Sequence, residues 1–387
     1  MIYCNYCGYK NSDKAIFCGN CGRPLATKEQ HEGASSTNQN QNTSSKSGSW
    51  FDSLNDYVGN DRPADLNWTV LFSDVFKSHS VEEAEDIFIC GTHHTTPSAS
   101  EVSKDWPHPW LYSRVLFMFG IAFALLWVCC DMFQNYNALP GLIVVGSFAV
   151  PLSTMILFLE VNAWRNVSFY KVIQTFLVGG CASLVATLML FDIVGNYELD
   201  FFGAFMTGVV EELGKAVIVY WFLRKLGKLS ILSGLLIGSC VGAGFAAFES
   251  AGYALQPFTQ IQQMVGYAAA YGQNYDTQQL LDAINGSIFV RGILAPGGHV
   301  AWAAISGAAL VIAAKAKGKI DTSLFADGKF LRLFIIPVIL HGLWDSPLAG
   351  WLYQIFPYLG YILLIVFVWI VVLILINMGL AEVSKGR

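Results

Sequence analysis

Polar and apolar positions divide this chain into two unlike parts. From Val115 onward apolar runs follow one another with short polar breaks, each long enough to cross a hydrocarbon core of about 30 Å. The pattern predicts about eight transmembrane helices, over 115–133, 138–160, 170–193, 199–223, 229–255, 288–314, 331–350 and 357–380. Charge on the connections is one-sided. Arg114, then Arg165 and Lys171, then Arg224, Lys225 and Lys228 fall at alternate connections, as do Lys315, Lys317, Lys319, Lys329 and Arg332, and finally Lys385 and Arg387. The intervening connections 134–137, 194–198, 256–287 and 351–356 contain no Lys or Arg. This asymmetry predicts a multi-pass protein of the cytoplasmic membrane with both termini in the cytoplasm. The connection 256–287, rich in Gln, Tyr, Gly and Asn, exceeds ordinary loop lengths and is expected to be a functional lid or a loosely ordered loop.

The polar part has its own order. Cys4-Asn-Tyr-Cys7 and Cys18-Gly-Asn-Cys21 are two CxxC knuckles separated by a short insert. Two residues between thiolates let a tight turn aim both sulfurs at one tetrahedral ion, and Gly8 and Gly22 follow the knuckles where positive φ is needed. With no vacant ligand position, the module reads as a closed, structural zinc ribbon rather than a disulfide pair. Residues 27–50, with the Ser/Thr/Asn/Gln-rich run 35–49, cannot bury enough apolar surface to fold and read as a flexible linker. Over 51–114, a cytoplasmic or juxtamembrane segment, Ser80-Val-Glu-Glu83 has capping-box form and predicts a helix to Ile89 that stops at Gly91. Trp68, Leu71, Phe72, Val75 and Phe76 lie at helical spacing and predict an amphipathic helix against the membrane surface or the bundle. His93 and His94 beside Cys90 are too few for a metal site and read as loop. The domains expected are therefore 1–26, 27–50, 51–114 and the transmembrane domain 115–387, in an all-α polytopic membrane bundle carrying a small N-terminal zinc ribbon.

Composition agrees. The chain is 54% hydrophobic and 13% charged, the latter about half the share in a soluble domain. A net charge of −5, without a basic stretch interleaved with aromatics, argues against a nucleic-acid partner. Met1 leads directly into a cysteine motif instead of a signal peptide, as expected for an N-terminus that stays in the cytoplasm. The grouped cysteines and the lone ones in apolar runs fit that reducing compartment.

Ionisable groups inside the apolar runs are costly and need a reason. The fourth run holds Glu211, Glu212 and Lys215, with Lys215 one turn from both carboxylates. The fifth holds Glu249, the sixth His299, and the seventh His341 with Asp345 four residues later on the same face. At 1.5 Å per residue all of them can meet in the middle-to-outer half of the bilayer. Leu294-Ala-Pro-Gly-Gly-His299 interrupts the sixth run, and broken helices at that depth are tolerated where they line a cavity. Gly234, Gly238, Gly242 and Gly244 give the fifth run a small-residue surface for close helix approach. Hydrogen bonds that merely join helices do not account for so many titratable groups in consecutive spans. They predict a catalytic or transport site.

The set Glu211-Glu212-Leu-Gly-Lys215, Gly244-Phe-Ala-Ala-Phe248-Glu249 with Tyr253, His299, and His341 with Asp345 resembles the PrsW family of intramembrane proteases. Pro151-Leu152 leading to Glu160, and Arg165-Asn166, resemble that family's earlier segment; Ser250 departs from it, standing where an Asn is expected. The resemblance covers roughly 115–380, extends to the type II CAAX prenyl endopeptidases, and implies peptide-bond hydrolysis within the membrane on a membrane-anchored protein, such as regulated cleavage of an anti-sigma factor. The chemistry suits the residues. Glu211 and Glu212 supply a base, Lys215 moderates their repulsion, and His299 and His341 hold the water, bind the oxyanion or coordinate a metal, with Glu249 in the same set and Asp345 in support. No HExxH is present, so glutamate-type and metal-dependent mechanisms both stand. Two other classes remain open: an ion- or proton-coupled transporter using the same groups, and a silent receptor signalling through its ribbon, for which a cytoplasmic protein partner is the natural ligand.

Overall fold

A computed structural model describes residues 2–4, 10–12, 15, 18, 50–60, 66–92, 94–98, 100–103, 105–195, 197–198, 200–271, 277–356 and 358–385. At the N-terminus two short strands, β1 (Ile2–Tyr3) and β2 (Lys10–Asn11), pair antiparallel with Ile2 opposite Asn11 and Tyr3 opposite Lys10. Cys4 and Cys18 are buried, and the Asn11 amide donates to Cys18 Sγ at 3.5 Å. Cys7, Cys21 and the expected linker up to residue 49 lie outside the described residues.

Every other regular element among the described residues is helical: α1 (Trp50–Val58), α2 (Val81–Phe88), α3 (Leu111–Asp131), α4 (Leu139–Val161), α5 (Phe169–Gln174), α6 (Gly180–Val194), α7 (Phe201–Leu223), α8 (Ile231–Tyr271), α9 (Thr277–Leu294), α10 (His299–Lys317), α11 (Gly328–Asp345), α12 (Pro347–Ile355) and α13 (Leu359–Lys385), besides short 3-10 turns. A π-helical turn over Thr175–Gly179 joins α5 to α6.

Among the described residues, six stretches are long and apolar enough to span a bilayer, namely Leu111–Asp131, Tyr136–Val161, Phe169–Val194, Ile231–Pro257, Leu281–Lys317 and Leu359–Val383. The two further spans expected from the sequence correspond to α7, 23 residues, and α11, 18 residues. Both are diluted by charge, α7 by Glu211, Glu212 and Lys215, α11 by Lys329, Arg332 and Asp345. The protein is thus an all-α, multi-pass membrane protein, and the two charge-diluted helices α7 and α11 carry part of the candidate site.

Helices α8 and α10 form the buried centre. Their approach depends on glycine: a Cβ at Gly238 would lie 2.1 Å from the Ala303 carbonyl oxygen, and one at Gly242 2.2 Å from that of His299. Only hydrogen at these positions lets the backbones touch. The contact sets Glu249, two turns along α8 from Gly242, against the first residue of α10.

Two expectations are corrected. The described residues of 256–287, namely 256–271 and 277–287, are helical and not loop. Helix α8 runs 41 residues to Tyr271, through Pro257, and α9 begins at Thr277. The Gln- and Ala-rich sequence has adequate helix propensity and lacks a Gly/Pro cluster to stop it. Nor do residues 68–76 form an amphipathic helix. A 3-10 turn covers Trp68–Phe72 and buries Val70 and Leu71, and the chain then turns about Asp74, a buried carboxylate that accepts from Ser73 Oγ at 3.1 Å and Lys77 Nζ at 2.6 Å. Phe76 is left 95% exposed.

The capping box on Ser80 and Glu83 is present, α2 ends before Ile89, and Gly91 turns the chain at φ +73°. Segment 51–114 docks on the bundle instead of extending from it. Tyr57 Oη donates to the Arg332 carbonyl at 2.8 Å, Tyr112 Oη to Leu71 O at 3.1 Å, Arg114 to Lys77 O at 2.9 Å and the Cys90 thiol to Val167 O at 3.3 Å. Arg165, at φ +46°, reaches the Asp86 carbonyl. Glu160 caps α3 from a neighbouring helix, accepting the backbone N–H groups of Trp110 and Leu111 at 2.8 Å and of Tyr112 at 2.9 Å. A carboxylate there satisfies donors that a helix start otherwise leaves unpaired.

Candidate active site

Helix α7 starts on Asp200, whose carboxylate accepts from Gly203 N at 2.7 Å, and delivers Glu211, Glu212 and Lys215 to the bundle interior. Lys215 is fully buried. Its ammonium lies 2.7 Å from Glu212 Oε1, 3.4 Å from Glu211 Oε2 and 2.7 Å from His299 Nδ1, and rests 4.2 Å above the Phe245 ring. An ammonium only donates, so His299 Nδ1 is the acceptor and the ring hydrogen sits on Nε2, which faces Glu249 Oε2 at 3.0 Å. Lys215 therefore does more than temper two glutamates: it also selects a histidine tautomer.

His299 is the first residue of α10, just past a 3-10 turn over Ala295–Gly297. The break expected at Pro296 is what brings the ring inward. His341, on α11, is held at both nitrogens. Nδ1 lies 2.9 Å from Glu212 Oε1, and Nε2 lies 3.2 Å from Asp345 Oδ2 and 3.7 Å from Glu211 Oε2. Trp302 stacks on His341 with ring centroids 4.6 Å apart and meets His299 edge-on at 5.1 Å.

All seven intramembrane groups singled out in the sequence thus converge, but not equivalently. Glu211, Glu249, His299, His341 and Asp345 line a cavity of about 540 Å³, with Thr207, Tyr253, Trp344, Tyr358 and Tyr361 elsewhere on its wall. Glu212 and Lys215 lie behind that wall. Glu212 Oε1 is shared by Lys215 and His341. Glu211 Oε2 is buried without a hydrogen bond.

Arg291, near the end of α9, also lines the cavity and pairs with Glu249. It was not among the residues expected. The signal was available, because it is the one Lys or Arg between 288 and 314, but the Pro-Gly-Gly break and His299 draw attention away from it. Trp302 gave no signal, since an aromatic in an apolar run is ordinary core.

Glu211, His299 and His341 each offer a ligand atom, all within 4.8 Å of one another. One carboxylate and two imidazoles are a donor set that holds zinc and leaves a position open. Glu211 Oε2 makes no hydrogen bond, so as a donor set the residues fit a divalent ion, provided that His299 gives up the Nε2 hydrogen that Glu249 accepts.

Fold and site together define a polytopic membrane protein with a buried acid–base cluster open to an interior cavity. A model of the PrsW family of intramembrane metalloproteases matches residues 168–375, more than half the chain, and a zinc-ribbon model matches residues 3–25. The chain belongs to the PrsW family and is an intramembrane protease with a zinc-ribbon domain at its N-terminus. No curated protein and no solved structure matches it.

Proposed function

We propose that the protein hydrolyses a peptide bond in a membrane-anchored protein, near the membrane face opposite its Lys/Arg-rich loops. The observation that carries this is the meeting of Glu211, His299 and His341, from three separate helices, on one cavity wall. Glu211 is the base: it lines the cavity, whereas Glu212 lies behind it and organises Lys215 and His341. Glu211 takes a proton from water as the water oxygen bonds to the scissile carbonyl carbon. His299 Nε2–H, which Glu249 Oε2 accepts at 3.0 Å at rest, shares its hydrogen with the oxyanion as that charge forms. His341, flanked by Glu212 and Asp345, gives a proton to the amine as the C–N bond breaks. In the metal-dependent alternative Glu211, His299 and His341 would instead hold the ion, and it would polarise the carbonyl and acidify water.

Both termini are assigned to the cytoplasm, and the ribbon, closed on one zinc by Cys4, Cys7, Cys18 and Cys21, serves to recruit a cytoplasmic protein. Regulated cleavage of a protein such as an anti-sigma factor is the role to which the family resemblance points. The test is comparative membrane proteomics of the wild type against Glu211→Gln. One membrane-anchored protein should lose a cleavage fragment in the variant. Identical fragment patterns would sink the assignment.

A further inference from the structure

Arg291 is placed to control the site without sitting among its reacting groups. Its Nη2 donates to Glu249 Oε2, its Nε donates to Ser250 Oγ at 2.9 Å, and its guanidinium carbon lies 4.2 Å from the Tyr253 ring centroid. One planar cation thereby grips Glu249, Ser250 and Tyr253 along one side of α8. Such a fork fixes the direction of a carboxylate in a way a single ammonium cannot.

The gripped oxygen is the one that matters. Glu249 Oε2 is also the atom 3.0 Å from His299 Nε2. Arg291 and His299 stand on opposite sides of the 3-10 break at Ala295–Gly297, so one carboxylate oxygen ties the end of α9 to the start of α10. The hydrogen bonds then run Arg291 to Glu249 to His299, whose Nδ1 is closed by Lys215.

We infer that Arg291 is a positioning residue: by clamping Glu249 against Ser250 it fixes the ring plane and the Nε2–H tautomer of His299, and so holds the active site assembled across the broken helix. Ser250 takes the second arm of the fork, which gives the departure from the expected Asn a physical role. The inference rests on the proteolytic reading above. The side chain is only 28% exposed and its Glu249 partner 17%, so the pair is shielded enough for its geometry to persist.

The test uses the full-length protein in detergent, labelled with ¹⁵N-histidine, with His299→Gln assigning the His299 ring signals. The wild type should show one neutral tautomer, protonated at Nε2. Arg291→Gln should shift those signals and mix the tautomers. Arg291→Lys should restore the tautomer in part, since it keeps the charge and loses the fork. Ser250→Ala, which removes one arm and leaves the ion pair, should act in the same direction but less, and covers the case in which Arg291→Gln fails to fold. The kinetic arm uses the membrane-anchored protein identified by the Glu211→Gln comparison, purified and fluorescently labelled. Arg291→Gln should lower kcat on the order of 10- to 100-fold with KM little changed, as for misplaced reacting groups. A raised KM with unchanged kcat, or His299 signals unmoved in both Arg291→Gln and Ser250→Ala, overturns the inference. Normal cleavage by Glu211→Gln instead overturns the proteolytic reading itself, and the two failures are separate.

Discussion

Seven titratable side chains meet in the bilayer region of this protein, and their hydrogen bonds divide them into groups that face the cavity and groups that support them. Glu211 and Glu212 are adjacent in sequence yet belong to different groups. Glu211→Gln preserves shape and removes the proposed base, so turnover should be lost while the thermal midpoint in detergent falls less than in Glu212→Gln, because Glu211 makes only the longer contacts to Lys215 and His341, 3.4 and 3.7 Å. Glu212→Gln should cost both. It leaves buried Lys215 facing one fewer anion and frees His341 Nδ1 from its charged partner, and breaking a buried ion pair costs about 3 kcal/mol or more. Thermal unfolding of the two variants side by side checks this, and equal midpoints would show that the two glutamates share one role. The residues themselves were legible in the sequence because an ion in an apolar run stands out. Their division of labour was not, since adjacent residues on a helix point about 100° apart and only the packed neighbours decide which faces a cavity.

At the scale of elements, the site exists because α8 and α10 touch backbone to backbone. Gly238→Leu would drive a side chain into the Ala303 carbonyl, 2.1 Å from the new Cβ. It should push α8 away, part Glu249 from His299, and abolish cleavage with a stability loss of about 1–3 kcal/mol or more. Gly252→Ala, on the same helix with nothing within 4 Å, should leave stability unchanged or raise it by up to ~1 kcal/mol. The paired measurement separates a packing effect from a general intolerance of substitution in α8. The glycine series and the Pro296 break are plain in the amino-acid sequence, because steric need shows in residue type. The continuation of α8 to Tyr271 is not. A Gln-, Ala- and Tyr-rich stretch is neutral between loop and helix, and Pro257 argues for an end that the surrounding helices override. Helices α8 and α9 both contribute to the cavity wall, through Glu249, Ser250 and Tyr253 on one and Val290, Arg291 and Leu294 on the other.

The whole molecule is organised by its two faces. Lys315 pairs with Glu382 at 2.6 Å, Glu382 also caps α8 by accepting from Ile231 N at 2.9 Å, and Asn166 donates to Lys228 O at 3.0 Å. Arg332 meets Tyr57, and Arg165 meets the end of α2. The Lys/Arg-bearing connections and segment 51–114 thus share one end of the bundle. Reporter fusions at 165–169 and 316–329 should accordingly report the cytoplasm, and those at 134–137 and 351–356 the outside. An outside signal from 316–329 would invert the orientation and place the ribbon on the wrong side for a cytoplasmic partner. The same docking separates two truncations that a domain diagram would treat alike. Removing residues 1–49 should take away about one zinc per chain and leave the thermal midpoint and cleavage chemistry nearly unchanged, because the described hydrogen bonds between the polar part and the bundle come from Tyr57 and later residues. Removing residues 1–110 should destabilise the bundle even though every span remains. Tyr57, Leu71, Lys77 and Cys90 would lose their contacts with Arg332, Tyr112, Arg114 and Val167. Glu160 would lose the N–H of Trp110, one of the three it accepts, and the ordered start of α3 with it. Zinc content by mass spectrometry and midpoints by thermal scanning fluorimetry read both truncations in one experiment. A shortened chain lacking 1–110 that matches the full chain in midpoint would show that segment 51–114 only rests on the bundle and contributes nothing to holding it.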